Sequence, residues 1–419
     1  MSALERVAGE LRLEGASLEE IARRFGTPCY VYSRAAIEAA FRDFDQGLAG
    51  LDHLVCYAVK AGSNLAILDL LARAGAGFDI VSGGELARVL AAGGRADRVI
   101  FSGVGKTETE MRAALETGIK CFNVESEPEL ERLDAVAGAL GKRAPVALRI
   151  NPDVDARTHP YISTGMAGNK FGIPHARAME AYRHAARLPH LRVVGIGCHI
   201  GSQILDTAPL AEALERVLEL ADALAAEGFA MEHLDLGGGI GIRYREDERA
   251  PDIRAYCRSL AARLSGRGVQ VLLEPGRAIV GAAGVLLTRV EYLKLDKAKR
   301  FAIVDASMSE LLRPALYESW HEIVAVREAR GAREAGRYDV VGPVCESSDV
   351  LGLDRSLAVA AGDLLAILSA GAYGMAMSSN YNSRPRPCEV LVDRGAAIEV
   401  RARETAQSLY ALERRLPDR

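Results

Sequence analysis

The chain has 419 residues, of which 49% are hydrophobic and 26% charged, with a formal net charge of −4. Such a composition excludes a disordered or fibrous chain, and the length suits two domains with ample core. The slightly acidic balance leaves no cationic excess, so neither nucleic acid nor an anionic membrane surface is an expected partner. No apolar run reaches the roughly 18 residues of a membrane span. The opening stretch, MSALERVAGELRLEG, lacks the apolar core of a signal peptide. A cytoplasmic protein is expected. Its seven cysteines stand singly, with no C-x-x-C pair; they fit neither a disulfide framework nor a zinc site and read as small apolar fillers.

In chain order, residues 1–35 carry one strand-like stretch, TPCYVYS, which is expected to join a β domain rather than the segments directly after it. From residue 36 to 283 one pattern repeats. Short β-branched runs alternate with Ala/Leu/Glu/Arg-rich segments whose apolar residues recur at three and four. The runs are HLVCYAVKA (53–61), GFDIVS (77–82), RVIFSG (98–103), KCFNVE (120–125), PVALRIN (145–151), VVGIGCHIG (193–201), HLDLGGG (233–239) and VLLEPG (271–276). Eight strand–helix alternations predict an α/β fold, a (β/α)8 TIM barrel. The competing open doubly wound sheet lacks its early G-x-G-x-x-G turn. From 284 to 419 the pattern becomes β-rich runs split by Gly, Asp and Pro, as in GVLLTRVEYLKL and RPCEVLVDRGAAIEV, which predicts a mostly β C-terminal domain.

Chemistry in such a barrel sits at the C-terminal ends of the strands. There the sequence places Lys60, then Asp79 with Ser82-Gly83-Gly84-Glu85, Asn123 and Glu125, Arg149 and Asn151, His199 and Ser202, Gly237-Gly238-Gly239, and Glu274-Pro275-Gly276-Arg277. Singly, each has an ordinary structural reading. A lysine at a strand end can snorkel to water. A histidine can be a hydrogen-bonded core residue, a glycine triplet a plain turn, and Glu274 half of an ion pair with Arg277. Their convergence suits a phosphorylated aldehyde cofactor. Pyridoxal 5'-phosphate (PLP) needs an amine for covalent attachment, supplied best by a desolvated lysine. It needs close backbone N–H groups for its phosphate, which glycines permit. An acid at the ring nitrogen keeps the ring protonated, and a flat side chain such as His199 can stack on it. A cofactor-free lysine aldolase would use Lys60 but leave the glycine triplet and Glu274 without a task.

Longer motifs narrow this reading. YAVKA-SN, FDIVSGGEL, FSGVGKTETEM, NPDVDARTHPYISTG, CHIGSQ, LGGGIGIRY, EPGR, RPALYESWHEI, GPVCESSD and GAYGMAMSSNYNSRPRP together resemble the diaminopimelate decarboxylases over residues 25–395. That family belongs with the barrel-type PLP enzymes, including alanine racemases and ornithine and arginine decarboxylases. HPYISTG and GPVCESSD favour the diaminopimelate branch. The resemblance implies that Lys60 carries PLP and His199 stacks on its ring. Gly237, Gly238, Gly239, Pro275, Gly276, Arg277 and Ser202 would form the phosphate and cofactor pocket, with Glu274 at the ring nitrogen. Arg277, Arg313 and Tyr317 would bind substrate, the arginines matching its carboxylates. Cys345, as proton donor, and Glu346, on the distal ammonium, would be contributed across a homodimer, and Tyr373 would contact phosphate and substrate. The implied reaction converts meso-2,6-diaminopimelate to L-lysine and CO2, the last step of lysine biosynthesis, with no metal. Rival readings are a decarboxylase of another basic amino acid (ornithine, arginine or carboxynorspermidine), a racemase, or a PLP-holding protein without turnover. One departure from the family stands beside Lys60: Gly62, where Asn is usual, expected to loosen the turn. His159 and the segment DARTHPYISTG read as a loop over the barrel mouth.

Overall fold

The computed structural model describes residues 3–156, 169–296, 299–328 and 334–417. His159 and most of its loop lie outside the described residues. The chain forms two compact units, one of Glu38–Ile242 with Arg249–Ile279, the other of Met1–Ile37, Arg243–Glu248 and Val280–Arg419.

In the first unit all eight apolar runs are strands: β1 (His53–Ala58), β2 (Gly77–Ile80), β3 (Val99–Phe101), β4 (Cys121–Val124), β5 (Ala144–Asn151), β6 (Leu191–Gly197), β7 (His233–Asp235) and β8 (Gln270–Leu273). Each runs parallel to the next, and β8 returns to β1 with Val271 opposite His53 and Leu273 opposite Val55. That last pairing closes the sheet and excludes the open alternative.

Side chains alternate across each strand, so every second residue points into the barrel. One interior layer is apolar: Leu54, Cys56, Ile100, Cys121, Ala147, Val194 and Leu272 form one buried cluster. Two residues further along β3, β4, β5 and β8 the same inward face carries Ser102, Asn123, Arg149 and Glu274. The interior therefore changes from oily to polar within one pleat, just below the C-terminal mouth. Neighbouring positions of opposite parity, Tyr57, Phe78, Phe101 and Phe122, are buried among the outer helices, with the rings of Phe101 and Phe122 stacked 6.1 Å apart.

The helices start where the chain provides a cap. Asn64 accepts from the Ala66 N–H ahead of Leu65–Arg73, and Ser82 from Glu85 ahead of Gly83–Ala91. Thr107 and Glu110 form a reciprocal capping box on Glu108–Thr117, which ends at left-handed Gly118. Each such cap is worth about 1 kcal/mol. Because these caps follow β1, β2 and β3 directly, they also fix the loops at the mouth.

The second unit is built on a long strand, Gly284–Leu295. It pairs antiparallel with Cys29–Ser33, Leu364–Ile367 and Arg300–Val304. Cys29–Ser33 is flanked on its other side by parallel Cys388–Asp393, so the N-terminal strand lies inside this sheet. Leu11, Leu18, Ile21, Val31, Val285, Leu287, Val390 and Val392 share its core with the small N-terminal sheet and helix. No helix among the described residues is long and apolar enough to cross a membrane.

Candidate active site

β1 ends at Ala58, whose partner on β2 is Asp79. A 3-10 turn, Val59–Ala61, then lifts Lys60 over the rim. This register brings Lys60 Nζ to 2.5 Å from Asp79 Oδ2. Asp79 is fully buried, whereas the lysine side chain keeps 36% of its exposure. The ammonium is thus held by a buried carboxylate yet reaches the mouth, which accounts for a lysine after a buried strand. The other Asp79 oxygen, Oδ1, is buried without a hydrogen-bond partner. Gly62 does not loosen the turn as expected: its φ is −172°, ordinary extended backbone, and its carbonyl accepts from the Tyr57 hydroxyl at 2.9 Å. Beside Lys60, burial pushes the Glu85 carboxyl up to about 7 against the Val81 N–H, which donates to it at 2.7 Å.

The glycine triplet follows β7 as a tight cradle. Gly237 and Gly239 have φ of 68° and 104°, a region that favours glycine. A Cβ on Gly238 would lie 2.1 Å from the Glu274 carbonyl oxygen, and one on Gly239 2.4 Å from that of Gly201. Nothing larger than glycine fits there. The Gly238 N–H donates to His199 Nδ1 at 3.1 Å, placing the ring proton of a neutral imidazole on Nε2. Burial and the Arg149 and Lys60 cations hold His199 well below the usual imidazole range, so the ring stays neutral. Gly276 packs on Ala58 and Ala61 of the Lys60 turn, and Arg277 donates to the Ser202 hydroxyl at 3.0 Å. The cradle, Ser202, Arg277 and His199 therefore belong to one mouth.

Glu274 is buried below them. Its Oε1 is 3.3 Å from both Ser102 Oγ and Asn123 Nδ2. Asn123 Nδ2 also donates to Asp235 Oδ2 at 2.8 Å, and the Gly237 N–H to Asp235 Oδ1 at 2.9 Å. Burial, then the Asp235 and Asp79 charges, push Glu274 well above the carboxylate range. Burial likewise raises Asp235 to about 6.

A second network braces the rim. Arg149 pairs with buried Glu125 at 2.9 Å, and Glu125 also accepts from the Gly103 and Gly172 N–H groups. Lys106, almost wholly buried, donates to Glu129 and to the Gly103 and Asn123 carbonyls. A buried ammonium with three acceptors is satisfied and structural.

The remaining expected residues lie in the β unit. Arg313 opens the short helix Arg313–Tyr317 and is buried. Its Nη1 donates to His321 Nε2 at 2.7 Å, because His321 Nδ1 faces the Leu368 carbonyl at 2.8 Å. The guanidinium also covers the Tyr244 ring at 4.6 Å. Tyr317 is half-buried, as is Tyr373, which has a φ of 56°. Six of the seven cysteines are buried and Cys345 is exposed. The filler reading therefore holds for the six and not for Cys345. Its N–H donates to Asn382 Oδ1 at 3.1 Å, while Glu346 accepts from the Tyr381 hydroxyl at 2.5 Å.

Sequence reasoning placed Asp79, Asn123, Glu125 and Arg149 at strand ends without assigning them partners, and passed over Ser102, Asp235, Tyr244 and His321. The inward parity of Ser102 and Asn123, two residues beyond Ile100 and Cys121, was the available signal. Among the described residues no cluster of His, Cys, Asp or Glu is arranged to hold a metal.

Residues 34–281 match the family model for the pyridoxal binding domain of pyridoxal-dependent decarboxylases. The diaminopimelate decarboxylase of Pseudomonas aeruginosa is 60% identical over 408 residues, 97% of this chain and 98% of that protein. A crystal structure of the Helicobacter pylori diaminopimelate decarboxylase complexed with L-lysine superposes with a TM-score of 0.90 at 43% identity, covering 94% of this chain and 98% of that one. The M. jannaschii enzyme, in co-complex with L-lysine, gives a TM-score of 0.93 at 37% identity over 100% and 99% of the two chains. With a closed barrel, a lysine and buried acid at its mouth, and relatives matching from end to end, the chain belongs to the diaminopimelate decarboxylase family.

Proposed function

We propose that the barrel binds PLP and that the protein decarboxylates meso-2,6-diaminopimelate to L-lysine and CO2, as a cytoplasmic homodimer. The observation that carries this reading is the meeting of Lys60, the glycine cradle and buried Glu274 at one barrel mouth, in a chain 60% identical to a diaminopimelate decarboxylase. The residues fit the cofactor. The glycines let main chain pack closely at the mouth, Gly238 against the Glu274 carbonyl and Gly239 against that of Gly201, and a raised carboxyl suits a ring nitrogen. When bound, PLP supplies the electron sink for loss of CO2.

The chain's own side chains do the rest. Lys60 is the attachment point, with Asp79 fixing its Nζ. His199 covers the ring as a neutral plane, held by Gly238. Gly237, Gly238, Gly239, Gly276, Ser202 and Arg277 hold the phosphate, alongside Pro275 and Tyr373. Arg277, Arg313 and Tyr317 bind substrate carboxylates, Arg313 being prealigned by His321 and Tyr244. Exposed Cys345 delivers a proton to the carbon that lost CO2, and Glu346 holds the distal ammonium. Both act in the partner's site.

The test is production of lysine and CO2 from the meso isomer with added PLP, beside the LL isomer, ornithine and arginine. Lysine from the meso form alone is the expected result. Turnover of ornithine or arginine in its place would overturn the substrate assignment.

A further inference from the structure

Three carboxyl groups on three barrel strands meet below Lys60: Asp79, Asp235 and Glu274, each less than a tenth exposed. Asp79 has the Lys60 ammonium beside it. The nearest polar partners of the other two are neutral. Asn123 Nδ2 bridges them at 2.8 and 3.3 Å, Ser102 stands 3.3 Å from Glu274, and Gly237 donates to Asp235 at 2.9 Å. One amide nitrogen thus serves two buried carboxyls, and two ionised carboxylates so placed repel each other unless one of them holds a proton. Of the charged groups around the pair, the Asp79 carboxylate faces both and the Lys60 ammonium faces Glu274. The buried thiols of Cys56, Cys121 and Cys198 are within electrostatic range of the pair, and beyond them stand the cations Arg149, Lys106 and Lys120. Lys60, Arg149 and Lys106 each have their own carboxylate, Asp79, Glu125 and Glu129.

We infer that Asp235 and Glu274 hold one proton between them, oriented by Asn123 and Ser102, and that this proton is the one the site gives up when an aromatic nitrogen base docks on Glu274. Asp235 is thus a positioning residue, acting through Glu274. The balance is simple. If the ring enters unprotonated, the Glu274 O–H bond breaks, an N–H bond forms on the ring, and no proton crosses to solvent. If it enters protonated, the Glu274 proton leaves to buffer and one proton is released per ring bound. Either way a singly protonated, monoanionic pair becomes two carboxylates, Glu274 facing the pyridinium and Asp235 keeping its Asn123 and Gly237 donors.

The inference rests on the PLP reading of this site, and the experiment separates the two. Cofactor binding is measured calorimetrically, at a pH where free PLP carries its ring proton, in two buffers of different ionisation enthalpy. Wild type is compared with Asp235→Asn, whose amide donates to an already ionised Glu274. The expected result is about one more proton released per PLP by wild type than by the variant; where free PLP has lost its ring proton, the same difference appears as no net exchange by wild type against uptake of one proton by the variant. Equal proton counts, with PLP trapped on Lys60 by borohydride in both proteins, would overturn the inference. Failure of wild type to trap PLP on Lys60 would overturn the cofactor reading instead. Should Asp235→Asn not fold, infrared difference spectra of cofactor-free wild type and Glu274→Gln decide the matter. A protonated-carboxyl stretch present in wild type and missing from Glu274→Gln supports the shared proton, and its absence from wild type refutes it.

Discussion

Lys60 Nζ and Asp79 Oδ2 are 2.5 Å apart because Asp79 stands opposite Ala58 in the β1–β2 register, two residues before the lysine. The pair is asymmetric: the carboxylate is fully buried and has one oxygen without a partner, while the ammonium reaches solvent. Burying a charge to hold another is costly for the fold and useful for placement. Asp79→Asn is therefore predicted to leave thermal stability unchanged or slightly raised, while slowing PLP capture and turnover at least tenfold. Differential scanning calorimetry and the absorbance change on PLP addition read the two effects separately. Loss of stability together with unaltered turnover would contradict this.

Cys345 is exposed and anchored only through its backbone to Asn382, so removing its sulfur leaves no cavity. Cys345→Ala should keep PLP binding and its melting temperature, and lose at least about 100-fold in kcat, the scale of a general acid. Full activity would remove the proton-donor role.

Arg313 is aimed by two contacts, the His321 Nε2 atom and the Tyr244 ring face. Lysine preserves the charge but not the planar fork. Arg313→Lys is expected to raise KM for diaminopimelate about tenfold, or ~1.4 kcal/mol, with little change in PLP affinity. Titration of the holoenzyme with substrate and with PLP distinguishes the two.

The two glycine sites should respond oppositely. Gly62 is extended and needs no special conformation, so Gly62→Asn is predicted to fold normally and gain a few tenths of a kcal/mol from a less flexible unfolded chain. Gly238→Ala puts a methyl group 2.1 Å from the Glu274 carbonyl oxygen and should lose PLP binding. Urea melts and PLP titrations of both variants provide the comparison.

His233 is buried, its Nε2 has no hydrogen-bond partner, and burial lowers its pKa to about 3. Its ordinary value is about 6.5. Between these values the unfolded chain binds a proton there that the folded chain refuses. The stabilising effect of the neutral ring is present above pH 6.5 and lost as pH falls toward 3. Replacing His233 by Gln should flatten the acid limb of stability by up to about 1.4 kcal/mol per pH unit. Urea midpoints at pH 6.5, 5.5 and 4.5 measure that slope, and parallel slopes would refute the assignment.

The barrel was readable because each strand is a compact run of buried β-branched and aromatic residues between amphipathic helices. Lys60, His199, the glycines and Glu274 were readable because they end those runs. The partners were not. Asp79 reaches Lys60, and Asp235 reaches Asn123 and Glu274, only after the sheet closes and sets the register between strands far apart in sequence. Tyr244 illustrates the same limit. It lies in the chain between β7 and β8, yet groups with Arg313 and His321 in the other unit, with no composition change to mark the excursion.

The N-terminal strand Cys29–Ser33 is inserted between Gly284–Leu295 and Cys388–Asp393. On the ribosome it emerges long before either neighbour exists. At about 5–20 residues per second, it waits on the order of ten seconds to a minute with both edges open while the barrel is completed. A YVY stretch with unpaired edges is a template for aggregation. The vulnerable period of this protein's life is thus its own synthesis, and the yield of active chains should depend on translation speed and on chaperones that shield the first 35 residues.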